Sequence, residues 1–335
     1  MTTIAIIGGG IAARSLLFAL AKENIPHKIL VFYSDTFAFP CSVHSTAIVA
    51  PRGISLGHSP LGDLLCQAFA RFDRHVQEDA PSGVISVPQF TGARTKLEAF
   101  RKRYPQGALL RAAGAYGLSE ELYLASESAY LVRPREYLDW LLTRAQSVLD
   151  LELVPEFVTE VDERRIRTNT GRDFLADQVI FTAGVNNSSW MPLLDERKKT
   201  KCVQGSYLEF NEVDFPESVS LTLEGDNLIY DRQQRRLLVG STTLETRHVL
   251  APLPELHGIY HRLCALMEES LPPLERAVVR VGLREKGSRR EPFLLHNGPH
   301  LMMGGFYKNG YALGPHFAER ALNLVHLNMR KNFVL

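Results

Sequence analysis

The sequence lacks the features that mark several protein classes. Its four cysteines, Cys41, Cys66, Cys202 and Cys264, form no C-x-x-C pair, which argues against a zinc knot. So few thiols in 335 residues read as a reduced, intracellular protein, and the expected location is cytoplasmic. No stretch approaches the roughly 18 apolar residues of a membrane span. The first apolar run is broken at once by three glycines, so it does not read as a signal peptide. Charge of one sign is missing too: 38 Lys and Arg oppose 37 Asp and Glu, a net +1. That balance gives no general attraction to nucleic acid or acidic membrane. There is no low-complexity tract, no internal repeat and no expected metal site. What remains is enzyme-like: 45% hydrophobic, 22% charged, and long enough for a large core in two lobes.

The amino terminus carries the first positive signal. TIAII (3–7) is a short β-branched apolar run that suits a buried parallel strand. Gly8-Gly9-Gly10 follows, then IAARSLLFALAK (11–22) as a helix and ILVF (29–32) as a second strand. Strand, glycine turn, helix and strand within about thirty residues make the unit that binds a dinucleotide. Gly8, Gly10 and Ala13 fill G-x-G-x-x-A. Gly8 permits the tight turn, Gly10 lets pyrophosphate approach, and Ala13 lets the helix pack close to the strand. Ile11 and Ala12 open the helix, whose free N–H groups face the phosphates. The competing reading is a tight turn in some other α/β protein. The acid expected at the end of the second strand is missing. Tyr33 stands there, and Asp35 follows two residues later, either as ribose ligand or as a turn residue.

Further on, LELVPEFV (151–158) reads as a strand, VDERRIRTN (161–169) with Thr170-Gly171-Arg172 as a hairpin, and 176–184 as a buried strand ending in Ala183-Gly184. YLVRPREYLDWLLTRA (130–145) gives a strand end, Pro134 and an amphipathic helix. Residues 201–245 differ: short alternating strands separated by turns, with Asp231–Arg235 as a polar hairpin turn, form an antiparallel sheet. Leu253–Leu271 reads as a helix and Ala277–Leu283 as a strand. The expected fold class is α/β: a Rossmann-like domain with a parallel sheet, in three pieces (1–84, 128–200, 284–335), and an inserted, mostly antiparallel α+β substrate domain (85–127, 201–283).

In order along the chain, IAIIGGGIAA, CSVHSTAIVAP (41–51), LVRP (131–134), ADQVIFTAGVNNSSW (176–190), VQGSYLEF, LLVGST (237–242), VGLREKGSRREPFL (281–294) and GGFYKNGYALGP (304–315) form a series. The series resembles the FAD-dependent oxidoreductases of the D-amino-acid oxidase type, which include glycine oxidase and sarcosine oxidase. The resemblance covers nearly the whole chain. Each motif alone is weak; the ordered series is stronger.

The resemblance implies FAD as cofactor and assigns residues to it. Ser42, His44, Ser45 and Thr46 sit in the flavin-contact segment. Val158, Ala183, Gly184 and Trp190 belong to the second nucleotide-like part. Lys308, Asn309, Gly310, Tyr311, Ala312 and Leu313 would cap the pyrimidine end of the flavin, where a helix N-terminus stabilises negative charge. The alternative for that late loop is a C-terminal structural turn. His44 permits covalent flavin attachment; a noncovalent contact or a core histidine is the alternative.

The expected reaction is oxidation of a C–N bond of a small amine or amino acid by hydride transfer to flavin, the imine then hydrolysing. Arg284, in GLRE, matches the family's Gly-Leu-Arg-Pro arginine and would grip a substrate carboxylate bidentately. An ion pair at the surface or domain interface is the alternative. Lys308 replaces a family arginine, and either meets a carboxylate or faces solvent. Tyr207 and Tyr230 either donate hydrogen bonds from above the flavin or are half-buried sheet residues. Glu285 replaces the family's proline, and Arg289-Arg290-Glu291 stands where Asp-Gly is common, either for a more acidic substrate or as a solvated loop. Two other readings stay open: a flavin oxidase acting on a modified tRNA base, and a flavoprotein that acts on or matures a partner protein. An NAD-dependent dehydrogenase would leave the late glycine loop and inserted sheet unexplained. Electron acceptor and oligomeric state are left open.

Overall fold

The computed structural model describes residues 2–24, 26–34, 41–51, 54, 56–57, 59–93, 98, 108–111, 123–195, 197–267 and 271–332. The fold is α/β, with a Rossmann-like parallel sheet beside a larger, mostly antiparallel one. The first sheet has six strands in the order Phe293–Asn297, His300–Gly304, Gln178–Phe181, Thr3–Ile7, Lys28–Phe32, Asp150–Val154. All its neighbours are parallel except the first pair. A sheet covered on both faces needs apolar side chains on both, which explains the unbroken runs TIAII and QVIF.

One face is covered by the helices Ile11–Lys22, Pro134–Gln146 and Gly310–Asn332, which share one core cluster with the sheet. In the first of them Leu16, Leu17 and Leu20 are fully buried, each worth about 1.5–3 kcal/mol of transfer free energy. The other face is covered by a small antiparallel sheet, Val158–Asp162, Arg165–Thr168 and Asp173–Leu175, whose Val161 and Ile166 pack with Ala5 and Phe181.

The second sheet has nine strands. Its main order is Val278–Lys286, Lys201–Phe210, Arg236–Gly240, Asp226–Asp231, Val219–Leu223, Val84–Ala93, Tyr123–Val132, Ile48–Val49, with Ala108–Arg111 also on Tyr123–Val132. Its pairs are antiparallel except Val219–Leu223 with Val84–Ala93. The helix Leu253–Cys264 covers one face, against Leu208, Phe210, Leu228 and Leu237. Directly paired residues share a face, so Arg284 (opposite Val203) lies on the same face as Tyr207 (opposite Gly240), away from that helix.

Some expected boundaries move. The strand read over 151–158 breaks at Pro155, which has no N–H for a ladder, and its two halves enter different sheets. The helix read over 253–271 stops at Cys264. The chain then turns back, so that the Tyr260 hydroxyl donates to the Pro272 carbonyl at 3.0 Å. The strand expected to end at Leu283 runs on to Lys286, and Ile48–Val49, from the first segment, joins the large sheet.

One buried ion pair ties the two sheets' surroundings together. Arg133, at the start of the helix Pro134–Gln146, gives Nε and Nη2 to Asp231 Oδ2 and Oδ1 at 2.7 and 3.0 Å. Asp231 lies at the end of a large-sheet strand, and its Oδ1 also accepts the Gln233 N–H of the hairpin turn.

Candidate functional site

A cavity of about 540 Å³ runs between the two sheets. Two helices begin at its wall, Ile11–Lys22 and Gly310–Asn332. They lie close because the second is bare where they touch: an added Cβ on Gly310 would sit 3.3 Å from Ile11, and one on Gly314 2.9 Å from Ser15 Oγ. Neither helix has an acid in its first turn. Both positive helix ends are therefore open to a bound anion.

Gly8 holds φ +126°, and a Cβ there would stand 2.5 Å from the Thr182 carbonyl oxygen. The turn can only be made by glycine. Ser42 Oγ accepts the Ile11 N–H at 3.0 Å, fixing the 41–46 segment against the helix start. Arg14 lies in the wall one turn further on. Its Nε donates to the Gly9 carbonyl at 3.0 Å, and its Nη1 pairs with the exposed Asp139. Sequence reasoning passed over Arg14. A cation in the first turns of a helix opposes the helix dipole, and this was the available sign that an anion belongs there.

The wall includes most residues picked out from the sequence: Gly8, Gly10, Ile11 and Ala12; Ser42, Ser45 and Thr46; Val158, Ala183, Gly184 and Trp190; and the stretch Lys308 to Ala312. Trp190 stacks on Phe181 with ring centroids 5.5 Å apart. The Tyr311 hydroxyl donates to the Ser42 carbonyl, joining the late loop to the early one. Tyr307, itself left-handed at φ 52°, has the ammonium groups of Lys286 and Lys308 at 5.8 and 5.6 Å from its ring centre.

Other picks are placed elsewhere. Asp35 lies outside the described residues. Ala13 and Leu313 are core residues, 0% and 1% exposed, and do not reach the wall. His44 is also behind it. Its Nδ1–H donates to the Val281 carbonyl at 3.1 Å, so the ring pins the loop to the arginine-bearing strand. Tyr230 faces the helix-covered side of the large sheet, where its hydroxyl donates to the Val213 carbonyl at 2.7 Å. Tyr207 is on the cavity side but 4% exposed, packed with Val87, Ala129 and Leu238, and burial pushes its pKa up to about 12. Both tyrosines are sheet residues, not members of the wall.

Arg284 is in the wall. Its guanidinium lies over Gly205, where an added Cβ would come within 2.0 Å of Nη2. Its Nη1 is buried and meets no acceptor of good geometry among the described residues, while the guanidinium lies against the Cys41 thiol. Beside it, burial raises the Cys41 thiol's pKa, partly offset by the Arg284 charge. Asn227 and Ser241, from the large sheet, and Glu156, below the small one, were not picked out beforehand. Asn227 Nδ2 donates to the Gly240 carbonyl at 3.0 Å. The Glu156 carboxyl is held below its ordinary pKa by hydrogen bonds from Thr168 and Thr170 and by Arg172. Among the described residues the charged groups of the wall are then Arg14, Arg284, Arg290 and Lys308 against Glu156 and Glu285. That balance, with two acid-free helix ends, a glycine turn that only glycine can make, and an orphaned guanidinium nitrogen, fits a long anionic cofactor with a second, smaller ligand. Among the described residues no His, Cys, Asp or Glu cluster could hold a metal, and no helix is long and apolar enough to cross a membrane.

Fold and site define a dinucleotide-binding redox protein. The chain belongs to the FAD dependent oxidoreductase (DAO) family, whose model matches residues 3–324, and FAD is its cofactor. Similar solved structures include a glycine oxidase from Bacillus cereus (17% identity, TM-score 0.80, covering 98% of each chain). A glycine oxidase from Geobacillus kaustophilus is similar too (19%, TM-score 0.77, covering 97% of this chain and 95% of that one). So is an iminodiacetate oxidase from a Chelativorans species (19%, TM-score 0.75, covering 94% and 93%). At these identities the likeness shows the fold. No curated protein matches the chain by sequence.

Proposed function

We propose that this oxidoreductase oxidises the C–N bond of an amine or amino acid that carries a carboxylate. The observation that carries the reading is Arg284. A buried guanidinium nitrogen without an acceptor costs desolvation free energy, and this arginine lines the cofactor cavity. A substrate carboxylate supplies the missing acceptor and is held bidentately, which fixes the α-carbon. The glycine oxidases and the iminodiacetate oxidase among similar structures are named for substrates of this kind.

FAD, when bound, would supply the hydride-accepting group for the α-carbon. The chain's own residues do the rest. Gly8, Gly10 and Arg14 would hold the pyrophosphate end, and the start of the Gly310–Asn332 helix would cap the ring end. Arg284 orients the substrate across from that helix, and the surrounding wall keeps bulk water off the reacting carbon. The same reading divides the chain into a discontinuous FAD-binding part (1–84, 128–200, 284–335) and a substrate part (85–127, 201–283), with Arg284 at the border between them.

The test is anaerobic mixing of the yellow, FAD-loaded protein with a panel of amines and amino acids, following loss of the flavin absorbance. Bleaching by carboxylate-bearing amines, and a loss of about 2–5 kcal/mol in their apparent binding in Arg284→Ala with FAD still bound, is the expected result. Equal bleaching by substrates with and without a carboxylate, or unchanged kinetics in Arg284→Ala, would overturn the reading.

A further inference from the structure

Glu285 is a buried titratable group to which the proposed reaction gives no part. It follows Arg284 on the same strand, so its side chain points to the opposite face. It is 6% exposed. Its Oε2 accepts two hydrogen bonds, from the Gly305 N–H and from Asn187 Nδ2, each at 3.0 Å. Asn187 is fully buried, and its Oδ1 accepts the Ala183 N–H at 2.8 Å. The Tyr307 N–H donates to the Glu285 backbone carbonyl at 3.0 Å. One residue thus joins the two turns that meet at this end of the cavity, Ala183-Gly184 and Gly305 to Asn309. Gly304 leaves it room: a Cβ there would stand 2.2 Å from Oε2 and 2.6 Å from Asn187 Nδ2.

The other oxygen, Oε1, is buried without a hydrogen bond of good geometry among the described residues, and the Thr200 side chain beside the carboxyl partly offsets the rise in its pKa. Among the described residues no cation pairs with the group. Arg284 lies on the far face over Gly205, Lys286 is paired with Glu245, and Arg290 and Lys308 stand elsewhere along the cavity wall. Other charged groups nearby include Glu291, on the loop that packs over Gly305, Lys198, over the Phe293 ring, and Arg247, whose Nη2 donates to the Ser188 hydroxyl next to Asn187. A carboxylate with two neutral donors and one bare oxygen is expensive to bury charged. Its geometry therefore favours taking up a proton on Oε1.

We propose that Glu285 is a positioning residue for the ring end of the FAD site: Oε2 grips both turns, and the proton on Oε1 sets how much negative charge that end accepts. The proposal rests on the reading that the flavin ring lies against Gly305 to Ala312. With Oε1 protonated, the surroundings of that end are the positive pole of the last helix and turn N–H groups, which suit the negative charge that two-electron reduction adds to a flavin. With Glu285 ionised, a buried negative charge stands behind the same wall and disfavours reduction. The proton comes from and returns to solvent. Burial moves this carboxyl's pKa up to about 7, with the Gly305, Asn187 and Thr200 interactions opposing the shift, so both states occur near neutral pH.

The test is the midpoint potential of FAD-loaded wild type and Glu285→Gln, titrated between about pH 5 and about pH 9. The variant is neutral throughout. Its curve should meet the wild-type curve at the acid end. At the alkaline end it should lie higher by at least a tenfold change in the reduced-to-oxidised ratio, about 30 mV for a two-electron couple. A purely structural role would not separate the curves in this pH-dependent way. Coincident or parallel curves across the range overturn the proposal while leaving the flavin assignment standing, since the protein is yellow. Where Glu285→Gln does not load FAD, Glu285→Met serves for the same titration. If neither variant loads FAD at any pH, the residue is structural only and the proposal fails.

Discussion

Gly205→Ala tests the placement of Arg284 without altering Arg284. Gly205 stands inside the strand Lys201–Phe210, opposite Gly282, with an ordinary backbone φ. An added Cβ would lie 2.0 Å from Arg284 Nη2, 2.1 Å from Cζ and 2.5 Å from Nη1. The guanidinium must leave its place over the α-carbon. What yields is the end of a flexible side chain, so the strand keeps its register. Replacing a strand glycine also reduces the freedom of the unfolded chain, worth about 0.4–1 kcal/mol. The net change in stability should therefore stay within about 1 kcal/mol. Ligand binding should behave differently. A displaced arginine keeps its charge but loses its two-pronged geometry, so the loss falls at the low end of the range for a buried charged partner, about 2 kcal/mol or about 30-fold in Kd. The assay is titration of a non-reactive carboxylate such as acetate into the FAD-loaded protein, read from the flavin absorbance, with thermal unfolding alongside. A Kd within about threefold of wild type refutes the reasoning. So does a stability loss beyond about 3 kcal/mol, because it would mean that the backbone, not the side chain, gave way.

Asp231→Ala removes one partner of a pair in which Arg133 is 7% and Asp231 1% exposed, and should cost about 3–5 kcal/mol in urea unfolding. The double variant Arg133→Met with Asp231→Leu should lose clearly less, because no buried charge is left alone. Glu285 has a pKa raised from 4.5 to about 7 on folding, so its contribution is fully present below about 4.5 and is lost as pH rises through about 7. At 1.36 kcal/mol per unit the loss is up to about 3 kcal/mol, and Glu285→Gln should lack it: its stability relative to wild type should be higher at about pH 8 than at about pH 4. An unchanged difference between the two pH values in urea unfolding would refute this.

Much of the fold was legible because its determinants are local. The turn at Gly8 has no solution but glycine, and strands buried on both faces show as unbroken apolar runs. The break at Pro155 was equally local; the missing N–H was in plain view, and the apolar residues around it outweighed it in the reading. The side on which Tyr230 lies was not legible for another reason. Alternation along a strand assigns residues to faces but not faces to neighbours. Tyr230 pairs with Val219 and Leu237 on the face that the helix Leu253–Cys264 covers, and only the three-dimensional sheet says which face that is. His44 shows the same limit within a loop: its direction depends on the Val281 carbonyl, 237 residues away.

The late glycine loop joins these arguments. Its glycines at 310 and 314 matter less for the freedom of the backbone than for what they leave out, since a side chain at either would push the last helix off Ile11 and Ser15. Close packing places two helix starts at one cavity, and neither starts with an acid in its first turn. A cavity so arranged favours negative charge beside both helix starts, which suits a pyrophosphate next to one and a reduced flavin ring next to the other. Glu285 runs against that design. It is a carboxyl placed within the wall, held by two donors that serve the same turns, and left with one bare oxygen. A group that served only to brace the turns would do so more cheaply as a glutamine, whose carbonyl accepts the same two hydrogen bonds without a buried charge. What glutamine cannot do is change its charge with pH, and that difference is the physical ground for reading Glu285 as more than a brace.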